Sequence, residues 1–164
     1  MEKRKKYVSR EEALVRMQRY CAYQERSHQE VRNKLIDLNI YRDDLEEIIA
    51  QLIADNFLNE ERFARAFARG KFRMKQWGRR RIVQELKRHD VSDYSIRKAM
   101  EEITDEDYRA TLREVIEKKS KTAAAESDFE LQYKLAQYAI SRGFESDLVW
   151  AVIKEIGEAP NPEE

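Results

Sequence analysis

Residues 56–100 read N-F-L-N-E-E-R-F-A-R-A-F-A-R-G-K-F-R-M-K-Q-W-G-R-R-R-I-V-Q-E-L-K-R-H-D-V-S-D-Y-S-I-R-K-A-M. From Arg62 to Arg88 this segment carries eleven Lys or Arg and a single acid, Glu85. The whole chain of 164 residues has 32 basic and 32 acidic residues and therefore no formal net charge. Positive charge is thus concentrated in one part of the chain, where it predicts contact with phosphates or with an acidic patch on a partner.

A helix is predicted to begin inside this segment, at residues 77–82 (W-G-R-R-R-I). Gly78 is the expected N-cap, and Trp77 is placed to pack on Ile82. Three arginines then lie at the positive end of the helix dipole, where cations are unfavourable. Because Gly78 has no capping side chain, free N–H groups together with these arginines predict an anion-binding site. The alternative is a solvated basic face neutralised by nearby acids.

The composition favours an all-α protein. Charged residues make up 39 % of the chain and hydrophobic residues 41 %, with four Gly and two Pro, which is typical of helices with one solvated face. Alternating β-branched runs and Asn-Gly or Asp-Gly hairpin turns are missing. The single Cys21 can form no internal disulfide, and no apolar run is long enough for a membrane span or a signal peptide. A cytoplasmic protein without a membrane partner is expected.

Nine helices are predicted from apolar residues at three- and four-residue spacing. Ser27 and Glu30 form a capping box, and Asn59 caps the fourth helix. In that helix the inward residues are expected to be Phe63, Phe67, Gly70 and Met74. Phe72 lies on the opposite side of the helical wheel, where either a neighbouring module or a partner would cover it. Residues 118–127 are Ala-rich and polar, and are either a frayed helix end or a linker.

The helices form an internal repeat. The apolar pattern of residues 45–52 recurs at 96–103, 51 residues later, and again at 149–156, 53 residues after that. The turns before these helices hold Asn39, Asp90 and Gly143, each followed by an apolar residue. Asn, Asp and Gly best tolerate the left-handed conformation that ends a helix, so one helix–turn–helix geometry is expected three times.

Adding one preceding helix to each copy gives three tandem three-helix repeats. Their predicted boundaries are 10–58, 59–103 and 104–157, between a basic N-terminal arm (1–9) and a disordered tail (158–164). Each repeat is too small to bury its apolar face alone, which favours stacking into an elongated, curved array. The middle repeat alone replaces the acidic capping box with Gly78 and its arginines.

Catalytic and cofactor motifs are missing from the sequence. It contains no glycine-rich nucleotide loop, His-Glu-x-x-His, Cys-x-x-Cys or Gly-x-Ser-x-Gly. The only histidines, His28 and His89, lie near helix ends and are expected at the surface. A binding protein without catalytic residues, metal or cofactor is therefore predicted.

Three motifs occur in order along the chain: S-x-x-E-V-R-x-K-L at 27–35, F-L-N-E-x-R-F-A at 57–64 and W-G-x-x-R-I-x-x-E-L at 77–86. Together they resemble the RecX family of bacterial recombination regulators, with a similarity that covers roughly residues 13–156. The chain departs from the family pattern at Arg79, where proline often follows the glycine, and at Asn39 and Asp90, where glycine is usual. The first change is expected to favour anion binding, and the other two to leave the turns intact.

The resemblance implies a tandem array of three-helix repeats that binds in the groove of RecA–DNA filaments and lowers strand exchange, ATP hydrolysis and coprotease function. Single- or double-stranded DNA is a further expected partner, and the protein is expected to be a monomer. Direct DNA binding without a recombinase, and a helical adaptor without nucleic acid, are the alternatives. The predicted partner- or DNA-binding residues all belong to the middle repeat: Arg69, Arg73, Lys75, Trp77, Gly78, Arg79, Arg80, Arg81, Lys87 and Arg88.

Overall fold

The computed structural model describes residues 8–158, and the regular secondary structure in this range is entirely α-helical. The helices are α1 (Arg10–Tyr23), α2 (His28–Asp37), α3 (Arg42–Ala54), α4 (Glu60–Lys75), α5 (Arg79–Arg88), α6 (Asp93–Met100), α7 (Asp105–Ser120), α8 (Asp128–Ser141) and α9 (Ser146–Glu158). The predicted all-α helical-repeat class is confirmed. Of residues 118–127, whose structure the sequence left open, 118–120 belong to α7 and 121–127 form the connection between α7 and α8.

Side-chain caps fix several of the helix starts. In each case a side-chain oxygen accepts a hydrogen bond of 2.9–3.1 Å from the N–H group three residues later. At Ser27 the cap is reciprocal, because Glu30 accepts from the Ser27 N–H at 3.2 Å, and the predicted capping box is confirmed. The capping residues are Ser9, Ser27, Asn59, Thr104 and Ser127.

The three repeated turns share one backbone geometry. Asn39, Asp90 and Gly143 have φ angles of 60°, 58° and 101°, in the left-handed region. In each turn the next residue is buried and donates its N–H to the carbonyl five residues earlier, at 2.9–3.3 Å. Such a bond satisfies a carbonyl at the end of the preceding helix. The prediction of one helix–turn–helix geometry repeated three times is confirmed.

The chain forms two compact units, and the divisions between them fall inside α4, α5 and α6. The first unit contains residues up to 66 and residues 86–98, and the second contains 67–85 and residues from 99 onward. In the first unit α1, α2 and α3 contact one another pairwise around a core that includes Ala13, Met17, Cys21, Val31, Leu35, Ile48 and Leu52. In the second unit α7, α8 and α9 contact one another pairwise, and buried residues include Tyr108, Leu112, Ile116, Leu135, Ala139, Phe144 and Val149.

The boundaries predicted for the three repeats stay predictions. Most of the predicted basic arm (1–9) and of the disordered tail (158–164) lies outside the described residues. Of the parts described, Ser9 caps α1 and Glu158 is the last residue of α9.

The inward face predicted for α4 was wrong in its C-terminal half. The Met74 side chain is 82 % exposed, and a Cβ atom added to Gly70 would meet nothing within 4 Å. Phe72 is only 7 % exposed, because its ring stacks on Tyr108 of α7 with 6.1 Å between the ring centroids. The prediction assumed one buried face along the whole helix. Instead, α4 buries Phe63 in the first unit and Phe72 in the second.

Within the second unit, the start of α5 packs directly on the turn between α8 and α9. The N–H of Gly78 donates to the Arg142 carbonyl at 2.8 Å, and the N–H of Arg80 donates to the Gly143 carbonyl at 3.0 Å. A Cβ on Gly78 would lie 2.1 Å from the carbonyl carbon of Gly143, and a Cβ on Gly143 would lie 2.5 Å from the Cβ of Arg81. Glycine at both positions is therefore what permits this contact between two backbones.

Replacing Gly78 by alanine is expected to destabilise the protein. The added methyl group would collide with backbone atoms that cannot rotate away, so Gly78→Ala should lower the free energy of unfolding by about 1–3 kcal/mol or more. The matched control is Gly70→Ala, which should raise it by about 0.5–1 kcal/mol, because this helical position has open space. Urea denaturation followed by circular dichroism measures both. Equal stabilities for the two variants would contradict the Gly78–Gly143 contact.

Leu86, on α5, is a buried core residue, and its truncation is expected to destabilise the protein. Its side chain is 0 % exposed, and truncation to alanine should lower the free energy of unfolding by about 2–5 kcal/mol. Gln84→Ala, on the exposed side of the same helix, should change it by no more than about 0.5 kcal/mol. A Leu86→Ala protein as stable as the unmodified chain would show that the buried face of α5 has been misassigned.

Candidate partner-binding surface

The ten predicted site residues are divided between the two units. Lys87 and Arg88, at the end of α5, belong to the first unit. The other eight belong to the second unit, on the C-terminal half of α4, in the connection at residues 76–78 and in the first turn of α5: Arg69, Arg73, Lys75, Trp77, Gly78, Arg79, Arg80 and Arg81.

Three N–H groups at the start of α5 are occupied by the protein itself. Those of Gly78 and Arg80 bind the α8–α9 turn, and that of Arg79 donates to the hydroxyl of Tyr108 at 3.0 Å. The anion site predicted from free N–H groups was therefore wrong. Gly78 lacks a side chain because another backbone lies against it, and the donors that would have met an external anion meet carbonyl and hydroxyl oxygens instead.

Arg79 is held in an internal network. A guanidinium nitrogen lies 2.6 Å from Oδ1 of Asp105, and its guanidinium carbon lies 3.9 Å from the centroid of the Tyr108 ring. Tyr108 is buried and donates its hydroxyl hydrogen to Glu145 at 3.0 Å. Burial raises the pKa of Tyr108 well above its ordinary value, so the phenol stays protonated and keeps this donor role. Arg79 thus serves the packing of α5 on α7.

Trp77 orders two cations. The guanidinium carbon of Arg81 lies 4.1 Å from a Trp77 ring centroid, and the Lys71 ammonium lies 5.0 Å from one. The indole in turn packs edge to face on Phe67 of α4, with 6.4 Å between centroids. Such cation–π contacts hold long side chains in place. Lys71 was not among the predicted site residues, because its position six residues before Trp77 gives no helical signal for the contact.

Arg142, which the sequence analysis also missed, joins the α4–α5 connection to α8. Its guanidinium donates to the Lys75 carbonyl and, at 3.4 Å, to the Gln76 carbonyl. Gln76 itself has a φ of 53°, which turns the chain out of α4. A carbonyl at the end of a helix needs a donor, and a distant arginine supplies it here. No local sequence pattern indicates that pairing.

The predicted cations differ in how far they are free to meet a partner. Arg69 lies 3.1 Å from Glu102, and Arg88 also has an internal interaction. Within residues 8–158 no ion pair holds the remaining cations, of which all but the half-buried Arg81 are exposed: Arg73, Lys75, Arg80, Arg81 and Lys87. The alternative prediction was a basic face neutralised by nearby acids. Acids neutralise Arg69 and Arg79 in this way, but not these five cations.

His89 takes a structural position. His89 Nδ1 lies 3.3 Å from the Ser27 hydroxyl and 3.6 Å from Glu30, and its ring packs on Phe63. Across the described part of the chain, no group of three or more His, Cys, Asp or Glu residues could hold a metal ion. No helix among residues 8–158 is long and apolar enough to cross a membrane.

Comparisons with known proteins agree with this architecture. Family models for the second and the third three-helix domain of RecX match residues 59–100 and 105–153. The regulatory protein RecX of Bacillus cytotoxicus is 27 % identical over 139 residues, which are 85 % of this chain and 52 % of the relative. That of Bacillus mycoides is 23 % identical over 145 residues, 88 % of this chain and 54 % of the relative. The chain thus spans about half the length of these curated relatives.

Solved structures show the same fold. The crystal structure of RecX from Lactobacillus salivarius superposes with a TM-score of 0.83 at 25 % identity, covering 92 % of this chain and 97 % of that one. A second crystal structure, of a regulatory protein RecX, gives a TM-score of 0.81 at 21 % identity, with 89 % and 71 % covered. The two matched domains together account for more than half of the sequence, and the chain belongs to the RecX family.

Proposed function

We propose that this chain is a non-enzymatic regulator that binds RecA–DNA filaments and inhibits their recombinase, ATPase and coprotease activities. Membership of the RecX family carries the proposal, because the curated relatives are named regulatory proteins. The filament as partner follows from the family resemblance of the three sequence motifs. Helical-repeat proteins present extended surfaces to their partners, which suits a polymeric target.

The contact surface in the second unit consists of Arg73, Lys75, Arg80 and Arg81. These side chains have no ion pair within residues 8–158, so they can meet acidic side chains or phosphates without first breaking an ion pair. Arg81 is held on Trp77, which reduces the entropy that it would lose on binding. Gly78 and Arg79 support this surface rather than contact the partner. Lys87 would add a separate contact from the first unit.

The same unpaired cations also support a second function, direct DNA binding without a recombinase partner. Each phosphate contact releases counterions, so affinity for naked DNA would fall steeply with salt. A regulator of filaments would bind DNA weakly on its own and much more tightly where RecA is present. Titrating the protein with single-stranded DNA over a range of salt concentrations, with and without RecA, separates the two functions.

Charge reversal on the proposed surface should weaken inhibition of RecA. The double variant Arg73→Glu/Arg80→Glu is expected to raise by at least tenfold the protein concentration needed to halve RecA ATPase activity on single-stranded DNA, which corresponds to about 1.4 kcal/mol of binding free energy. Both side chains are exposed and unpaired among the described residues, so the melting temperature should change little.

The matched control is Arg19→Glu/Arg97→Glu, which reverses two exposed arginines of the first unit that are likewise unpaired in the described range. This variant carries the same total charge as the first, and it should inhibit like the unmodified protein. Equal losses in the two double variants would indicate a non-specific charge effect and contradict the assigned surface. Failure of the unmodified protein to inhibit RecA would contradict the proposed function itself.

A further inference from the structure

A second basic feature of the second unit is a cavity of about 220 Å³ at the C-terminal ends of α4, α7 and α8. Three cations line it, and no carboxylate does. None of these cations belongs to the predicted site or to the surface proposed above. The polar and aromatic residues of the lining are Gln76, Lys118, Lys119, Thr122, Tyr138 and Arg142.

Two of the three cations lie over one aromatic ring. The Lys119 ammonium lies 4.7 Å from the centroid of Tyr138, and the guanidinium carbon of Arg142 lies 5.8 Å from it. Arg142 is further fixed by its bonds to the Lys75 and Gln76 carbonyls. These two positive charges are thus held in place before any ligand arrives, which lowers the entropic cost of binding.

Compensation of helix dipoles does not account for all of this charge. Each helix C-terminus carries roughly −0.5 of an elementary charge, so three ends supply about −1.5 against three full positive charges. Two of the carbonyls at these ends are also satisfied already. That of Lys119 accepts from the N–H groups of Thr122 and Ala123 at 3.1 and 3.0 Å, and that of Tyr138 accepts from the Arg142 N–H at 3.2 Å. The cavity therefore favours an anion over a cation.

We infer that this cavity binds a phosphate group of a nucleic-acid strand. Its volume is below the roughly 300–1,000 Å³ of small-molecule pockets, so it suits one charged group rather than a whole ligand. The guanidinium fork of Arg142 is engaged by two carbonyls, which disfavours bidentate capture of a carboxylate. The two lysines remain as point charges, which suit phosphate. The inference supplies a DNA contact for the proposed filament regulator and rests on that function for its context.

The test measures binding of the full chain to a fluorescent single-stranded oligothymidine, without RecA, by anisotropy at a series of salt concentrations. Lys119→Gln should reduce the slope of log K against log salt by about 0.7, which corresponds to about fivefold weaker binding at ~0.1 M salt. Lys119→Arg should keep the slope. Lys154→Gln, which removes one charge from an exposed position on α9 outside the cavity, should keep both slope and affinity.

Three kinds of outcome would overturn the inference. In the first, no binding depends on the cavity: the unmodified chain does not bind the oligonucleotide, or Lys119→Gln and Lys154→Gln have the same slope. The second is that Lys119→Gln loses only binding of inorganic phosphate, measured by calorimetry, because the cavity would then take free phosphate. The third is that Lys119→Gln weakens RecA inhibition but not oligonucleotide binding, which would indicate an acidic protein group. None of them affects the result for Arg73 and Arg80, so the two proposals fail separately.

Discussion

The second unit depends on the contact between two backbones at Gly78 and Gly143. Two hydrogen bonds, of 2.8 and 3.0 Å, join the start of α5 to the carbonyls of the α8–α9 turn, and no side chain stands between them. The contact satisfies donors at a helix start and acceptors at a helix end together, so neither needs solvent or a ligand. It also fixes the direction in which each arginine of the first turn leaves the helix.

This contact sorts three consecutive arginines into different roles. An arginine near a helix N-terminus is disfavoured by roughly 0.3–1 kcal/mol when exposed, and Arg79 offsets that cost through Asp105 and the ring of Tyr108. Arg81 offsets it through Trp77. Arg80, exposed and without an ion pair in the described range, gains no such compensation from the protein. An unfavourable charge that the fold leaves uncompensated is the better candidate for a partner contact.

The features that sequence predicted correctly are local. A capping box, a left-handed turn residue and an apolar stripe each depend on residues within about five positions of one another, and Ser27, Asn39 and Tyr108 were assigned on that basis. The errors concern contacts distant in sequence. Gly78 was visible as a helix start and Gly143 as a turn, but nothing in either segment indicates that they meet. The exposure of Met74 has the same origin, because the faces that α4 buries depend on packing partners elsewhere in the chain.

The three repeated turns also separate conformation from contact as reasons for a glycine. Asn39 and Asp90 adopt φ near 60°, which shows that the geometry of the turn does not by itself require glycine. Gly143 has a φ of 101°, and a Cβ there would lie 2.5 Å from that of Arg81. Of the three turns, the third therefore requires glycine because it receives the start of another helix. One backbone geometry is repeated along the chain, and the residue at its left-handed position determines whether a second backbone can pack against it.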